Sequence, residues 1–177
     1  MGSPADTTDL KSLIRDVPDF PKKGIVFKDI TPLLADKDAF KAAVDRIVAR
    51  YAGRGIEQVA AVESRGFLFA STIAYRLGAG VIPIRKKGKL PYKTISAAYE
   101  LEYGTDSLEI HEDAVRAGTP VLLVDDLLAT GGTAKASCEL LEKLGAKVEG
   151  VCFLIELAFL KGREKLPGRD VFCLMAF

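Results

Sequence analysis

The chain has 177 residues, 49% of them apolar, with 25 basic and 24 acidic side chains and a formal net charge of +1. That length suits one domain with its own core. The charge balance argues against a nucleic-acid partner or a membrane surface, so any phosphate affinity must come from local arrangement. No apolar run reaches the ~18 residues that a membrane span needs. The opening Met1-Gly2-Ser3-Pro4-Ala5-Asp6 lacks the basic and apolar regions of a secretory signal. Cys138, Cys152 and Cys173 are scattered among apolar residues, without metal-ligand spacing or a disulfide framework, and read as reduced core thiols. A cytoplasmic protein is the expectation.

In chain order, Thr7 to Val17 predicts a short helix broken by Pro18 and Pro21. The stretch from Phe20 to Pro32 reads as a proline-rich apolar loop, most simply packing. Asp36 to Tyr51 predicts a helix with Phe40, Val44, Ile47, Val48 and Tyr51 on one face, ended by Gly53 and Gly55. Strands and helices then alternate: strand Val59–Val62, turn Glu63–Gly66, helix Phe67–Leu77 stopped by Gly78, strand Val81–Ile84. Further on come strand Val121–Val124, a glycine loop, helix Thr133–Leu144 stopped by Gly145, strand Val148–Leu157 and a last strand over Val171–Met175. Uninterrupted apolar strands separated by helices imply an α/β fold, a parallel sheet flanked by helices on both faces. Residues 85–112 break this rhythm with a basic run, Arg85-Lys86-Lys87-Gly88-Lys89, and then a polar hairpin around Gly104. An insertion this long in a compact domain is often a flexible lid or binding loop.

The most informative segment runs from Val121 to Thr133: a buried strand, Asp125-Asp126, then Leu127-Leu128-Ala129-Thr130-Gly131-Gly132-Thr133 at a helix start. In a parallel sheet, ligands bind beyond the carboxyl ends of strands. Gly131 and Gly132 let the backbone turn sharply and approach a ligand, and free N–H groups at the helix start favour a phosphate dianion. Thr130 and Thr133 add hydroxyl donors. Two carboxylates beside a phosphate would repel it unless they meet different groups, and ribose hydroxyls are natural donors to Asp125 and Asp126. The loop therefore suits a phosphorylated sugar better than bare phosphate. A tight turn with aspartates capping a helix is the blander alternative. A Walker A loop is excluded, because no Gly-Lys-Ser/Thr follows at the required spacing.

This thirteen-residue block resembles the signature of the type I phosphoribosyltransferases, and its Leu127–Thr133 wording is similar to members whose acceptor is adenine. The resemblance extends from Asp19 to about Leu166. It implies a pentosyl (glycosyl) transfer from phosphoribosyl pyrophosphate to adenine, a purine-salvage reaction giving AMP and pyrophosphate, in a single domain over residues 1–177. By the same resemblance, Asp125 and Asp126 hold the ribose hydroxyls while Ala129, Thr130, Gly131, Gly132 and Thr133 cradle the 5-phosphate. Glu63-Ser64-Arg65 matches the pyrophosphate loop, which in the family usually begins with aspartate and often contains a cis peptide. Arg85, Lys86 and Lys89 are implied to neutralise the leaving pyrophosphate, with Mg2+ carried mainly by the donor rather than by protein ligands. Some of these cations are implied to act across a homodimer interface.

Catalytic roles implied by the resemblance fall to Arg65, to Glu102, which handles the purine proton, and to Tyr103, which helps the lid close. The 17–35 segment is implied to bind the base, through backbone at Val26 and Lys28. The family often has arginine where this chain has Lys28. Phe27 and Leu127 pack on the purine. Lys161 to Leu166 also resembles the family, with no chemistry assigned, and the single histidine, His111, reads as structural. Two rivals remain: a sensor that keeps this fold and binds the donor without catalysis, and an enzyme for a 6-oxopurine base. The sensor usually carries an added DNA-binding segment, and the 6-oxopurine enzymes read the oxo group with a lysine pattern that finds no match here.

Overall fold

The computed structural model describes residues 9–100 and 105–177. The chain divides into two compact units, Met1–Arg46 and Ile47–Phe177.

In the first unit the expected Thr7–Val17 helix is not what forms. A single 3-10 turn, Leu10–Leu13, is capped by Asp9, whose side chain accepts from the Lys11 N–H. Strand β1 (Arg15–Pro18) follows and pairs antiparallel with β2 (Val26–Asp29). Pro18 holds the residue before it extended, so the helix cannot run through Val17. Within the stretch read as a loop, Val26–Asp29 is thus the second strand of a two-stranded ribbon, and the connection leading to it contains a cis Phe20–Pro21 bond. Asp29 ends the ribbon and accepts from the Thr31 N–H at 2.9 Å, opening the short helix α1 (Thr31–Ala35). Asp36 then accepts from the N–H groups of Asp38 and Ala39 at 3.0 and 2.9 Å, starting α2 (Lys37–Tyr51), which crosses the boundary between the units. Val44, Ile47 and Tyr51 are buried as the helical period requires, together with Ala39 and Ala43, whereas Phe40 and Val48 are half-buried.

The second unit is built on a seven-stranded sheet of order β5-β6-β4-β3-β7-β8-β9. Its strands are β3 (Gln58–Val62), β4 (Gly80–Lys86), β5 (Thr94–Glu100), β6 (Thr105–His111), β7 (Pro120–Leu128), β8 (Lys147–Glu156) and β9 (Val171–Ala176). β4, β3, β7, β8 and β9 run parallel, as expected. The hairpin β5–β6 is antiparallel and joins the sheet, because β6 pairs with the end of β4 through Arg85↔Glu109 and Lys86↔Leu108. Arg85 and Lys86, which follow the predicted strand Val81–Ile84, are therefore still strand.

Helices α3 (Gly66–Leu77) and α4 (Gly132–Lys143) cover opposite faces of this sheet. Ala60, Val62, Val121, Leu123, Val151 and Phe153 share one core with Leu140 and Leu141 of α4. The alternate residues Val59, Ala61, Leu122 and Val124, equally buried, face the α3 side with Phe69 and Ile73.

At the far edge Tyr51 is buried between β8 and β9, its ring edge-on to Phe172 at 6.3 Å. A Cβ on Gly150 would sit 2.7 Å from the Tyr51 ring. Gly150→Ala should therefore overpack this contact and lower stability by about 1–3 kcal/mol. The check is urea unfolding, where the midpoint should fall with an unchanged slope.

Candidate active site

β3 leads through α3 to β4 on one side, whereas β7 leads through α4 to β8 on the other, and β3 and β7 are neighbours. The chain winds away in opposite directions from this pair, so the loops after β3 and β7 part and leave a crevice beyond the carboxyl ends of the strands. A cavity of about 420 Å³ opens there. Glu63, Ser64 and Arg65 wall it from the β3 loop, Lys86 from β4, Tyr99 and Leu108 from the hairpin, and Asp125 to Leu127 with Ala129 and Thr133 from the β7 side. The β7 loop itself encloses a smaller hollow of about 70 Å³ between Leu127 and Ala134. The first turn of α4 opens onto this hollow, and its N–H groups, unpaired within the helix, make it an anion cradle.

The cradle's shape depends on two glycines. Gly131 caps α4 with φ 80°, the left-handed region that favours glycine. A Cβ on Gly131 would overlap the Gly162 carbonyl, and a Cβ on Gly162 would overlap the Ala129 carbonyl and lie 2.9 Å from Leu128 Cδ1. The 3-10 turn Gly162–Lys165 is thus the back wall of the loop. Arg163 anchors that turn with two bonds to Glu156, at 2.7 and 2.8 Å, and one to the Val171 carbonyl at 2.8 Å.

The two aspartates have different environments. Asp125 is half-buried, and its Oδ1 accepts from the Asp126 N–H at 2.8 Å. Burial first, and the Asp126 carboxylate second, push Asp125 well above the usual carboxylate range. Asp126 is buried and receives the Arg65 guanidinium through Nε. The β3 loop that carries Arg65 has a cis Glu63–Ser64 peptide.

Glu63 gathers the cations. Its carboxylate accepts from Arg85 Nε, from Lys89 Nζ and from the Lys86 N–H, each at 2.9 Å. Burial alone would raise its pKa, but Lys89, the Lys86 N–H and Arg85 together hold it below the usual range. Glu63 therefore stays ionised and fixes where the positive charges stand.

Residues 33–173 match the phosphoribosyl transferase domain. The chain belongs to the phosphoribosyl transferase family. It is 57% identical to the adenine phosphoribosyltransferase of Geobacter metallireducens over 96% of this chain and 99% of that protein. Among solved structures it resembles the adenine phosphoribosyltransferase of Thermoanaerobacter pseudethanolicus, with a TM-score of 0.92 and 56% identity over 95% of this chain and 98% of that one. It also resembles the Saccharomyces cerevisiae adenine phosphoribosyltransferase, solved with an imino-altritol bisphosphate and adenine, with a TM-score of 0.89 and 43% identity over 93% of this chain and 96% of that one.

In this member of the family the cavity gathers Ser64, Arg65, Lys86, Asp125, Asp126, Leu127, Ala129 and Thr133, while Thr130, Gly131 and Gly132 line the smaller hollow. Arg85 and Lys89 reach the site through Glu63. Val26, Phe27 and Lys28 lie on β2 of the first unit, where the Phe27 ring stands edge-on to Phe20 at 5.2 Å. Lys28 Nζ donates to Asp16 Oδ1 at 2.6 Å. Glu102 and Tyr103 lie outside the described residues.

Sequence reasoning did not single out Tyr99 or Gly162. Tyr99 reads as one residue of an alternating hairpin, and only the return of β6 onto β4 brings it to the cavity. Gly162 stood in a segment already similar to the family, and a glycine in a basic run was the available signal.

Two expectations follow for this site. Asp125→Asn should make the protein more stable while weakening ribose binding. A raised carboxyl pKa contributes its stability below the unfolded value near 3.9, and that stability is lost as pH rises through the folded value. The melting temperature of Asp125→Asn should therefore exceed that of the unaltered protein by a few degrees at pH 8, with the gap closing toward pH 4. Gly162→Ala must displace the loop at Ala129, so ribose 5-phosphate should bind at least about tenfold more weakly by calorimetry.

Proposed function

We propose that this chain transfers the 5-phosphoribosyl group of phosphoribosyl pyrophosphate to N9 of adenine, giving AMP and pyrophosphate. The observation that carries the reading is the phosphate-sized cradle at the start of α4, placed beside paired carboxylates and a cluster of cations at one sheet crevice. More than half of the residues match an adenine phosphoribosyltransferase along nearly the whole chain, which supports the same reaction.

In this reading the Ala129–Thr133 loop fixes the 5-phosphate, and Asp125 and Asp126 orient the ribose hydroxyls. The bond from C1′ to the pyrophosphate oxygen breaks, its electron pair leaves with pyrophosphate, and a C1′–N9 bond forms. Positive charge builds on the ribose ring meanwhile, so the work is mainly positioning and electrostatics. Arg65, Arg85, Lys86 and Lys89 offset the charge on the leaving group, with Ser64 alongside. Glu63 acts by holding Arg85 and Lys89 in place. Glu102 takes the N9 proton, and Tyr103 helps the hairpin exclude water.

The base is read by Val26, Phe27, Lys28 and Leu127. The Lys28 ammonium is paired with Asp16, which favours its backbone over its side chain as the contact. The wall's own carboxylates fit a donor-borne Mg2+ better than a resident one, because Asp126 is paired with Arg65 and one oxygen of Asp125 is engaged by the Asp126 N–H. Such an ion would be held by pyrophosphate and ribose oxygens and would neutralise the donor's charge. We treat the chain as one catalytic domain, because the family match spans both compact units. The proposed assembly is a homodimer, for which Leu68 and Tyr75 on α3, 48% and 84% exposed, offer an apolar stripe. The proposed location is the cytoplasm, where free thiols such as Cys138 and Cys152 persist. Among the described residues no helix is long and apolar enough to cross a membrane.

The test is pyrophosphate release with donor, Mg2+ and each of adenine, hypoxanthine, guanine and xanthine. Release with adenine alone is expected. Donor binding without release from any base would favour the sensor instead. Glu102→Leu should lower turnover by about 10²–10⁴-fold with donor affinity nearly unchanged. Equal losses in both would remove Glu102 from the proton-transfer role.

A further inference from the structure

The cations around the cavity are held by different counter-ions. Arg85 and Lys89 share Glu63, whose side chain is only 6% exposed. Lys86 turns the other way: its Nζ lies 2.9 Å from Asp106 Oδ2 on the hairpin strand β6, and its side chain is 54% exposed against 25% for Asp106. Asp106 is itself well fixed. Its Oδ1 accepts from the Ser107 N–H at 2.8 Å, and its Oδ2 accepts from the Tyr99 hydroxyl at 3.3 Å across the Tyr99↔Asp106 pair of the hairpin. Lys86 and Tyr99 both wall the cavity. The backbone around Lys86 is tied to the same strand, since the Lys87 N–H donates to the Ser107 carbonyl at 3.2 Å and the Gly88 N–H to Glu109 at 2.9 Å.

We propose that Asp106 is a positioning residue that competes with pyrophosphate for the Lys86 ammonium and so speeds pyrophosphate release. The inference rests on the reading of Lys86 as a pyrophosphate cation.

The argument is one of like charges. An anion that engages Lys86 stands within roughly 6 Å of the Asp106 carboxylate, and at an effective dielectric of about 20 such a repulsion amounts to roughly 4–5 times RT. Exposure of both groups screens it to a fraction of that. Against this stands the benefit of holding a long lysine side chain still. A neutral amide at 106 separates the two effects, because its one carbonyl oxygen can still accept from Lys86 and Tyr99, with only the Ser107 N–H bond of the second oxygen lost along with the charge. The Lys86 backbone is held by β6 in either case. Removing the carboxylate charge should therefore strengthen pyrophosphate binding, whereas loss of a merely structural contact would weaken it. Product release limits turnover in many enzymes, which gives a competing carboxylate a use.

The experiment is calorimetric titration of magnesium pyrophosphate into the unaltered protein, Asp106→Asn, Lys86→Met and the double variant, with melting temperatures recorded for each. Asp106→Asn should bind about threefold to tenfold tighter, tenfold being ~1.4 kcal/mol. The gain should appear in a slower dissociation rate by stopped flow. In the Lys86→Met background the gain should be clearly smaller, because the competition for the ammonium is gone and only the screened repulsion between Asp106 and the anion is relieved. Weaker or unchanged binding by a folded Asp106→Asn, or equal tightening without Lys86, would overturn the proposal. If Lys86→Met alone leaves affinity unaltered, the assignment of Lys86 as a pyrophosphate cation fails and this inference with it, while the four-base assay still decides the reaction.

Discussion

The site depends on the close approach of Gly66 to Asp125. A Cβ at position 66 would lie 2.8 Å from Asp125 Oδ1, 3.2 Å from Asp125 Cα and 3.2 Å from the Val124 carbonyl. No side chain fits there, so the first turn of α3 sits directly on the end of β7. That contact draws the loop after β3 and the loop after β7 to the two sides of one crevice. Arg65, next to Gly66, meets Asp126, next to Asp125, as a direct result. Packing around this contact, with the Asp126 carboxylate beside it, raises the proton affinity of Asp125. A half-buried acid of this kind makes the fold less stable at neutral pH than an apolar contact would, and functional sites are where such local conflicts are retained.

Around that contact the charges are arranged by sign and depth. The carboxylates of Asp125 and Asp126 stand at the end of the strand, where sugar hydroxyls can donate to them. The cations Arg85, Lys86 and Lys89 stand at and just beyond the end of β4, one strand removed across β3, each given a fixed place by a carboxylate behind it. Among the described residues none that lines the hollow at the start of α4 is a cation, so a phosphate held there would rely on backbone N–H groups and two threonine hydroxyls. A chain with a net charge of +1 thus reaches high local field strength by placement rather than by excess charge.

Much of this was legible in the sequence. The runs Val59–Val62 and Val121–Val124 and the centre of Val148–Leu157, Val151–Ile155, have no polar interruption, as a strand buried on both faces requires, and the structure has strands at all three. The glycine loop and the helix after it were legible because glycines at a strand end have few other uses. The ribbon β1–β2 was not, because its strands are four residues each with none of them buried, and so offer no period to read. The polar end of β4 was missed because Arg85 and Lys86 look like the close of a strand, and only pairing with β6 keeps them extended. Gly162 could not be read as the wall of the cradle, since its neighbour Gly131 is thirty-one positions away in the chain and the contact is made by backbone alone.

The central claim is that the end of β7 holds a phosphorylated ribose, with its 5-phosphate on the Ala129–Thr133 loop. A crystal structure with phosphoribosyl pyrophosphate and Mg2+ tests it most directly. The account predicts the 5-phosphate on the N–H groups at the start of α4, the ribose hydroxyls on Asp125 and Asp126, and the pyrophosphate toward Arg65 and Lys86. A 5-phosphate bound elsewhere, with the loop between Ala129 and Thr133 making no contact to it, would contradict the account.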